Sequence, residues 1–163
     1  MTKFEFNEDQ KEIIKEWVGR LRSGKYKQGQ NNLVTLRKNK KPKYCCLGVL
    51  AEMAYEKGIV AKRVKVIEPG LSVINYSNNE YAYGYKTLPE VVSRWAGFVT
   101  RNNLIDENPV CYSEGSNNTY AGLNDAGKTF AEIADLIEQD YLNDTGTEGQ
   151  GSSPSESTED DQA

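Results

Sequence analysis

The 163-residue chain contains no histidine. That absence removes Ser-His and Cys-His nucleophile pairs, imidazole general bases, and His-ligated zinc or iron. There are three cysteines and no CxxC spacing. Three thiols are too few for an all-cysteine zinc site within one chain. An odd number, with two adjacent in the apolar stretch Tyr44-Cys45-Cys46-Leu47, is not a disulfide framework and fits a reducing cytoplasm. No apolar run is long enough to cross a bilayer, and the opening MTKFEFNEDQ lacks the apolar centre of a signal peptide.

A local absence is more telling. Between Glu16 and Glu52 there is no acidic residue, while Arg20, Arg22, Lys25, Lys27, Arg37, Lys38, Lys40, Lys41 and Lys43 all fall there, in a chain of net charge -4. The run ends in YCCLGVL, the most apolar segment present. A cationic loop fastened to core is a way to build a fixed anion site. From Asn143 onward the opposite holds: NDTGTEGQGSSPSESTEDDQA has no Lys or Arg and almost no apolar bulk. Such a composition cannot bury enough surface to offset its ordering entropy, so residues 143–163 read as a disordered acidic tail. Its acids are Asp144, Glu148, Glu156, Glu159, Asp160 and Asp161. Of the 24 acids in the chain this leaves 18, against 20 bases, so residues 1–142 are slightly basic. They suit one domain of ordinary size.

Periodicity supplies the elements. Asn7 is a good N-cap, with Glu8 and Asp9 in the first turn, and Ile13, Ile14, Trp17, Val18 and Leu21 form a helical stripe that Gly24 ends. Residues 33–45 read as a β-hairpin with four lysines at its tip, which by itself is a common guard against edge pairing. Cys45 to Lys57 reads as a buried helix closed by Gly58, its cysteines serving as small core residues. Residues 59–86 alternate like strands. Tyr81, Tyr83 and Tyr85 would share one strand face, and Gly84 would allow a ligand or backbone to approach closely. Pro89 opens a helix whose buried face is Val91 and Trp95 with Val92 and Ala96, ended by Gly97. A strand is expected around 110–112. Leu123 to Gly127 reads as an Asx-type turn. Thr129 and Glu132 make a capping box for a last helix carrying Phe130, Ile133, Ala134, Ile137 and Tyr141. The fold class expected is α+β, about four helices on a small, mainly antiparallel sheet.

The blocks LRSGKYKQG at 21–29, YCCLGVL at 44–50, LPEVVSRWAG at 88–97 and LNDAGKTFAEIADLIE at 123–138 together resemble a family of short proteins of tailed bacteriophages, generally carried without an assigned function. The resemblance implies a phage accessory protein acting in the cytoplasm of an infected bacterium, and it carries over no catalytic residue. KTFAEIADLIE is also similar to the first helix of a helix-turn-helix reader. The recognition helix that such a reader needs next is missing, because the acidic tail follows instead.

The sequence therefore favours binding over catalysis. The expected ligand is an anionic, nucleotide-like small molecule, in a phage setting a host immune signal that is sequestered. Arg20, Arg22, Lys25 and Arg37 would hold phosphates, with Tyr26 and Gln28 beside them. Tyr83 or Tyr85 would stack on a base, and Asn124 and Asp125 would take ribose or base edges. No cofactor or metal is expected. The alternative is a module that inhibits a host protein or contacts nucleic acid through the basic segment. A magnesium-dependent hydrolase using Asp106, Glu107, Asp125 or Glu132 ranks third. No membrane partner is expected. A homo-oligomer is suggested only by analogy with proteins that build a site between subunits.

Overall fold

A computed structural model of the chain describes residues 7–77, 84–99, 102, 104–115 and 117–143. The tyrosine positions 81 and 83 and the acidic segment 144–163 lie outside them. The architecture is α+β: five α-helices and one π-helical turn around a five-stranded sheet.

Helix α1 (Glu8–Arg22) starts at a reciprocal cap. Asn7 accepts from the Gln10 N–H at 2.8 Å, and the Gln10 side chain accepts from the Asn7 N–H at 3.1 Å. Gly24, at φ 79°, follows the helix end in the left-handed region. Ile14, Trp17, Val18 and Leu21 are buried, as their spacing predicts. Trp17 meets Phe98 and Tyr120 edge to face and donates its indole N–H to the Cys46 carbonyl at 2.9 Å.

The strands are β1 (Lys27–Gln28), β2 (Val34–Arg37), β3 (Lys43–Tyr44), β4 (Lys62–Glu68) and β5 (Leu71–Tyr76), in the order β1-β3-β2-β5-β4. β1 runs parallel to β3, and every other pairing is antiparallel. The expected hairpin at 33–45 is β2–β3. Helix α2 (Cys46–Glu56) follows β3 closely and buries Cys46 to Ala51 without interruption, because α1, β3 and the helices later in the chain pack around it. Helix α3 (Glu90–Ala96) corrects one expectation. Its inward residues are Val92, Ser93 and Ala96, whereas Val91 is exposed and Trp95 only half-buried. The helix starts one residue later than the sequence suggests, with Pro89 as its N-cap.

Two further corrections bear on function. Of the segment read as a turn at 123–127, Leu123 to Asp125 are the end of a fifth helix, α4 (Tyr120–Asp125), capped by Thr119, and Ala126 and Gly127 make the turn that follows. The expected strand near 110 is a single bridge between Val110 and Thr119. Helix α5 (Phe130–Ile137) has its capping box, and all five residues of its stripe are buried. A π-helical turn (Glu138–Leu142) extends it and buries the Asp140 carboxylate, which accepts from Ser113 Oγ at 2.5 Å, from the Tyr112 N–H at 3.1 Å and from the Tyr120 hydroxyl. Among the described residues, no helix is long and apolar enough to cross a membrane.

Candidate functional site

Strand alternation divides the sheet into two faces. Val34, Leu36, Tyr44, Ile74 and Tyr76 point to the core, where α2 and its neighbours cover them. The residues between them point the other way. Register places Lys27 beside Lys43, Lys43 beside Thr35, Thr35 beside Val73, and Arg37 beside Leu71. On the far strand, Lys65 pairs with Val73 and Arg63 with Asn75. Val73 is buried yet stands outside the core cluster, as a residue of this second face should. The second face thus carries Lys27, Lys43, Arg37, Arg63 and Lys65. Only one carboxylate, Glu68, occurs in any strand of the described sheet.

A groove of about 440 Å³ lies at the β1-β3-β2 end of this face. Arg37, Lys43 and Thr35 line it from the strands, with Leu71 at its edge. The rest is the loop Gln28 to Asn32, rich in amides. Arg37 lies two residues along β2 from the partner of Lys43, about 7 Å, so both cationic heads can reach one ligand. Neither cation has an ion-pair partner among the described residues, and no acid lines the groove. Lys27, Lys38, Lys40 and Lys41 are likewise exposed and without such a partner.

The loop is held from behind. Gly29 donates to the Tyr44 carbonyl at 2.7 Å, and a Cβ at Gly29 would stand 2.7 Å from that of Lys43. Asn31 sits at φ 75° and donates its N–H to the Asp125 carboxylate at 2.9 Å. Asn124, fully buried, donates to the Gly29 carbonyl at 2.7 Å and accepts from the Gln28 amide at 2.8 Å and the Cys46 N–H at 3.2 Å. Gln28 also donates to the Lys128 carbonyl at 2.8 Å and accepts from the Phe130 N–H at 3.0 Å. The side chains of Gln28, Asn124 and Asp125, expected to touch ligand, fix the loop that forms the groove wall, and Gln28 itself lines the groove.

The arginines of α1 are elsewhere and already paired. Arg20 donates to Glu56 at 2.7 Å and to the Tyr26 hydroxyl at 2.8 Å, and bridges Glu16 at 2.7 Å. These partners raise its pKa above the ordinary arginine value, the Glu56 bond contributing most. Arg20, Lys25 and Tyr26 share a second cavity of about 390 Å³ with Glu16 and Glu56. Two carboxylates there offset two cations, so an incoming anion would have to displace them. Arg22 bridges Asp135 at 2.6 Å and Glu138 at 3.0 Å on the α5 side.

Tyr85 lies in a turn, not a strand. Lys65 and Lys86 approach its ring at 4.9 and 5.9 Å, and its carbonyl accepts from the Leu33 N–H at 2.8 Å. It lines neither cavity. The close approach expected at Gly84 is to backbone: a Cβ there would stand 1.9 Å from the Tyr76 carbonyl oxygen. Tyr83 falls outside the described residues. Among the described residues, Tyr85 thus lines neither cavity with the cations of 20–43. The groove also includes Lys43, Thr35 and the 30–32 amides, which lie outside the residues expected from the sequence. Alternation at Thr35, Arg37 and Lys43 was the signal that could have found them.

The thiols are core groups. Burial pushes Cys45 up to about 12 and Cys111 to about 11. Among the described residues, no three Cys, Asp or Glu side chains gather as a metal site. Of the acids considered for magnesium, Glu132 caps α5, Asp125 holds Asn31, and Asp106 accepts from the Asn108 N–H.

Among known proteins, the family described as a domain of unknown function (DUF8296) matches residues 9–141. No curated protein and no solved structure matches.

Proposed function

Because the chain belongs to the family described as a domain of unknown function (DUF8296), which brings no ligand with it, we propose a function from the groove itself: capture of an anionic, nucleotide-like small molecule. The observation that carries this reading is an acid-free groove in which Arg37 and Lys43 have no ion-pair partner among the described residues and the adjoining loop is fixed by hydrogen bonds from Asn124 and to Asp125. Fixed donors bind an anion without a further ordering cost, which is where preorganisation gains affinity. Arg37 would take phosphate oxygens in bidentate fashion and Lys43 as a point charge. Thr35 and the amides of Gln30, Asn31 and Asn32 would take hydroxyls or base edges. Among the described residues no aromatic ring lines the groove, so those residues would hold the ligand by its phosphate and hydroxyl groups without stacking. The setting that goes with this proposal is sequestration of a host signal in a phage-infected bacterium, as the sequence resemblance implies.

The test is calorimetry on dialysed protein against a panel of nucleotides and phosphorylated sugars. Arg37→Ala and Lys43→Ala should each weaken binding by roughly 10- to 100-fold, the effect of losing about 1.5–3 kcal/mol of charge-assisted hydrogen bonding. Arg20→Ala should leave affinity within about threefold, because Arg20 is held by its own carboxylates. Binding lost in Arg20→Ala and kept in Arg37→Ala would move the site to α1 and sink this assignment.

A second reading has its own observation. Lys38, Lys40, Lys41 and Arg63 continue the positive charge beyond the groove, which a longer polyanion or an acidic protein surface would use. A nucleic-acid contact would show a slope of log K against log salt of several units, whereas a single nucleotide shows a shallow one.

A further inference from the structure

The cationic face and the acidic segment of the same chain are complementary. Lys27, Lys43, Arg37 and Arg63 stand on one side of the sheet with no ion-pair partner among the described residues, and Glu68 is the only strand carboxylate near them. Residues 144–163 hold six acids and no base, and no apolar side chain suited to packing in a core. The described chain ends at Asn143, after the π-helical turn. Twenty residues can span up to about 65 Å. A domain of this size has a radius of gyration of about 14 Å. Any point on the surface is therefore within reach of the segment.

We propose that residues 144–163 act as an intramolecular competitor for the cationic sheet face, lying against Lys27, Arg37 and Lys43 until a stronger anion displaces them. The proposal takes the same face as the ligand site above but does not depend on which ligand binds there. A tethered segment works at an effective concentration of about 1 mM, so an intrinsic affinity near 0.5 mM protects the face about threefold. The contact is electrostatic, so it weakens as the Debye length shrinks from about 30 Å at 0.01 M salt to about 6 Å at 0.3 M.

The experiment is ligand-free lysine acetylation of the full chain, read residue by residue by mass spectrometry. The comparison is with the same chain carrying Glu156→Gln, Glu159→Gln, Asp160→Asn and Asp161→Asn, changes that leave the sequence of residues 1–155 unaltered. At 0.01 M salt, Lys27 and Lys43 should react about threefold faster in the variant. Lys15 and Lys57, which pair with Glu12 and Glu16 on the helical side, should react equally in both. At 0.3 M salt the difference should vanish. Equal rates at Lys27 and Lys43 in low salt would overturn the proposal. So would protection that rises with protein concentration, which would mean contact between two copies. No nucleotide is present, so failure here leaves the ligand reading intact, and failure of the ligand panel leaves this one intact.

Discussion

Asn124 shows how a side chain with the capacity to hold a ligand can be engaged inside the fold. It sits in a helix end with four hydrogen-bonding positions, and a ligand would be well served by it. The fold uses those positions internally, on Gly29, Gln28, Cys46 and Asp125. Asn124→Ala would leave the Gly29 carbonyl and the first N–H of α2 without their partner inside the protein. Unsatisfied buried groups cost about 1–3 kcal/mol each, so a loss of about 2–4 kcal/mol is expected by urea denaturation. Asp125→Ala, at an exposed position, should cost less than about 1 kcal/mol. If the two variants unfold at the same urea concentration, Asn124 is not the anchor of the loop. The sequence held the residue types in the right order. It could not say that positions 28 and 124 face each other, because that pairing closes a separation of 96 residues.

Elements were more legible than their faces. The capped ends of α1 and α5 and the hairpin β2–β3 follow from local chemistry: Asn7 with Gln10, Thr129 with Glu132, and the turn around Asn39, at φ 61°. Local chemistry does not choose which side of α3 turns inward. That side is set by what α1 and α2 present to it, so Val92 and Ala96 are buried and Val91 is not. The contact between α2 and Leu33, the residue that leads into β2, is also non-local. A Cβ on Gly48 would stand 1.9 Å from the Leu33 carbonyl oxygen, which already accepts the Cys45 N–H at 3.0 Å. Gly48→Ala must push the helix off the Leu33 backbone, at a cost of about 3 kcal/mol or more. A fall in Tm of roughly 10 °C is the expected reading in calorimetry. An unchanged Tm would mean that α2 and the Leu33 backbone are not so closely packed.

Across the whole molecule, the long-range ion pairs decide which cations remain for an outside partner. Arg20 joins α1 to Glu56 of α2, and Arg22 joins α1 to Asp135 and Glu138. Arg20 holds the Glu56 pKa below its ordinary value of 4.5. A carboxylate whose folded pKa is depressed stabilises the fold above its unfolded pKa, and that stability drains as pH falls through the folded value. Arg20 stays charged throughout. The tie is therefore complete near neutrality and is lost progressively below about pH 4.5. Glu56→Gln should lower stability at pH 7 and flatten the acid limb of the Tm-against-pH curve. Parallel acid limbs for wild type and variant would show that this pair carries no linkage.

Composition and short-range pattern settled the α+β class, the helix caps, the hairpin and the excess of positive charge before Glu52, because each depends on neighbours within a few positions. They also marked residues 143–163 as acidic and poor in apolar bulk. Which of the nine cations lack an ion-pair partner among the described residues was decided only in three dimensions. Arg20 and Arg22 meet acids from distant parts of the chain, while Arg37 and Lys43 are turned by strand alternation onto a face whose strands hold the single acid Glu68. Charge is a property of a residue, but neutralisation is a property of a distance, and folding sets the distances.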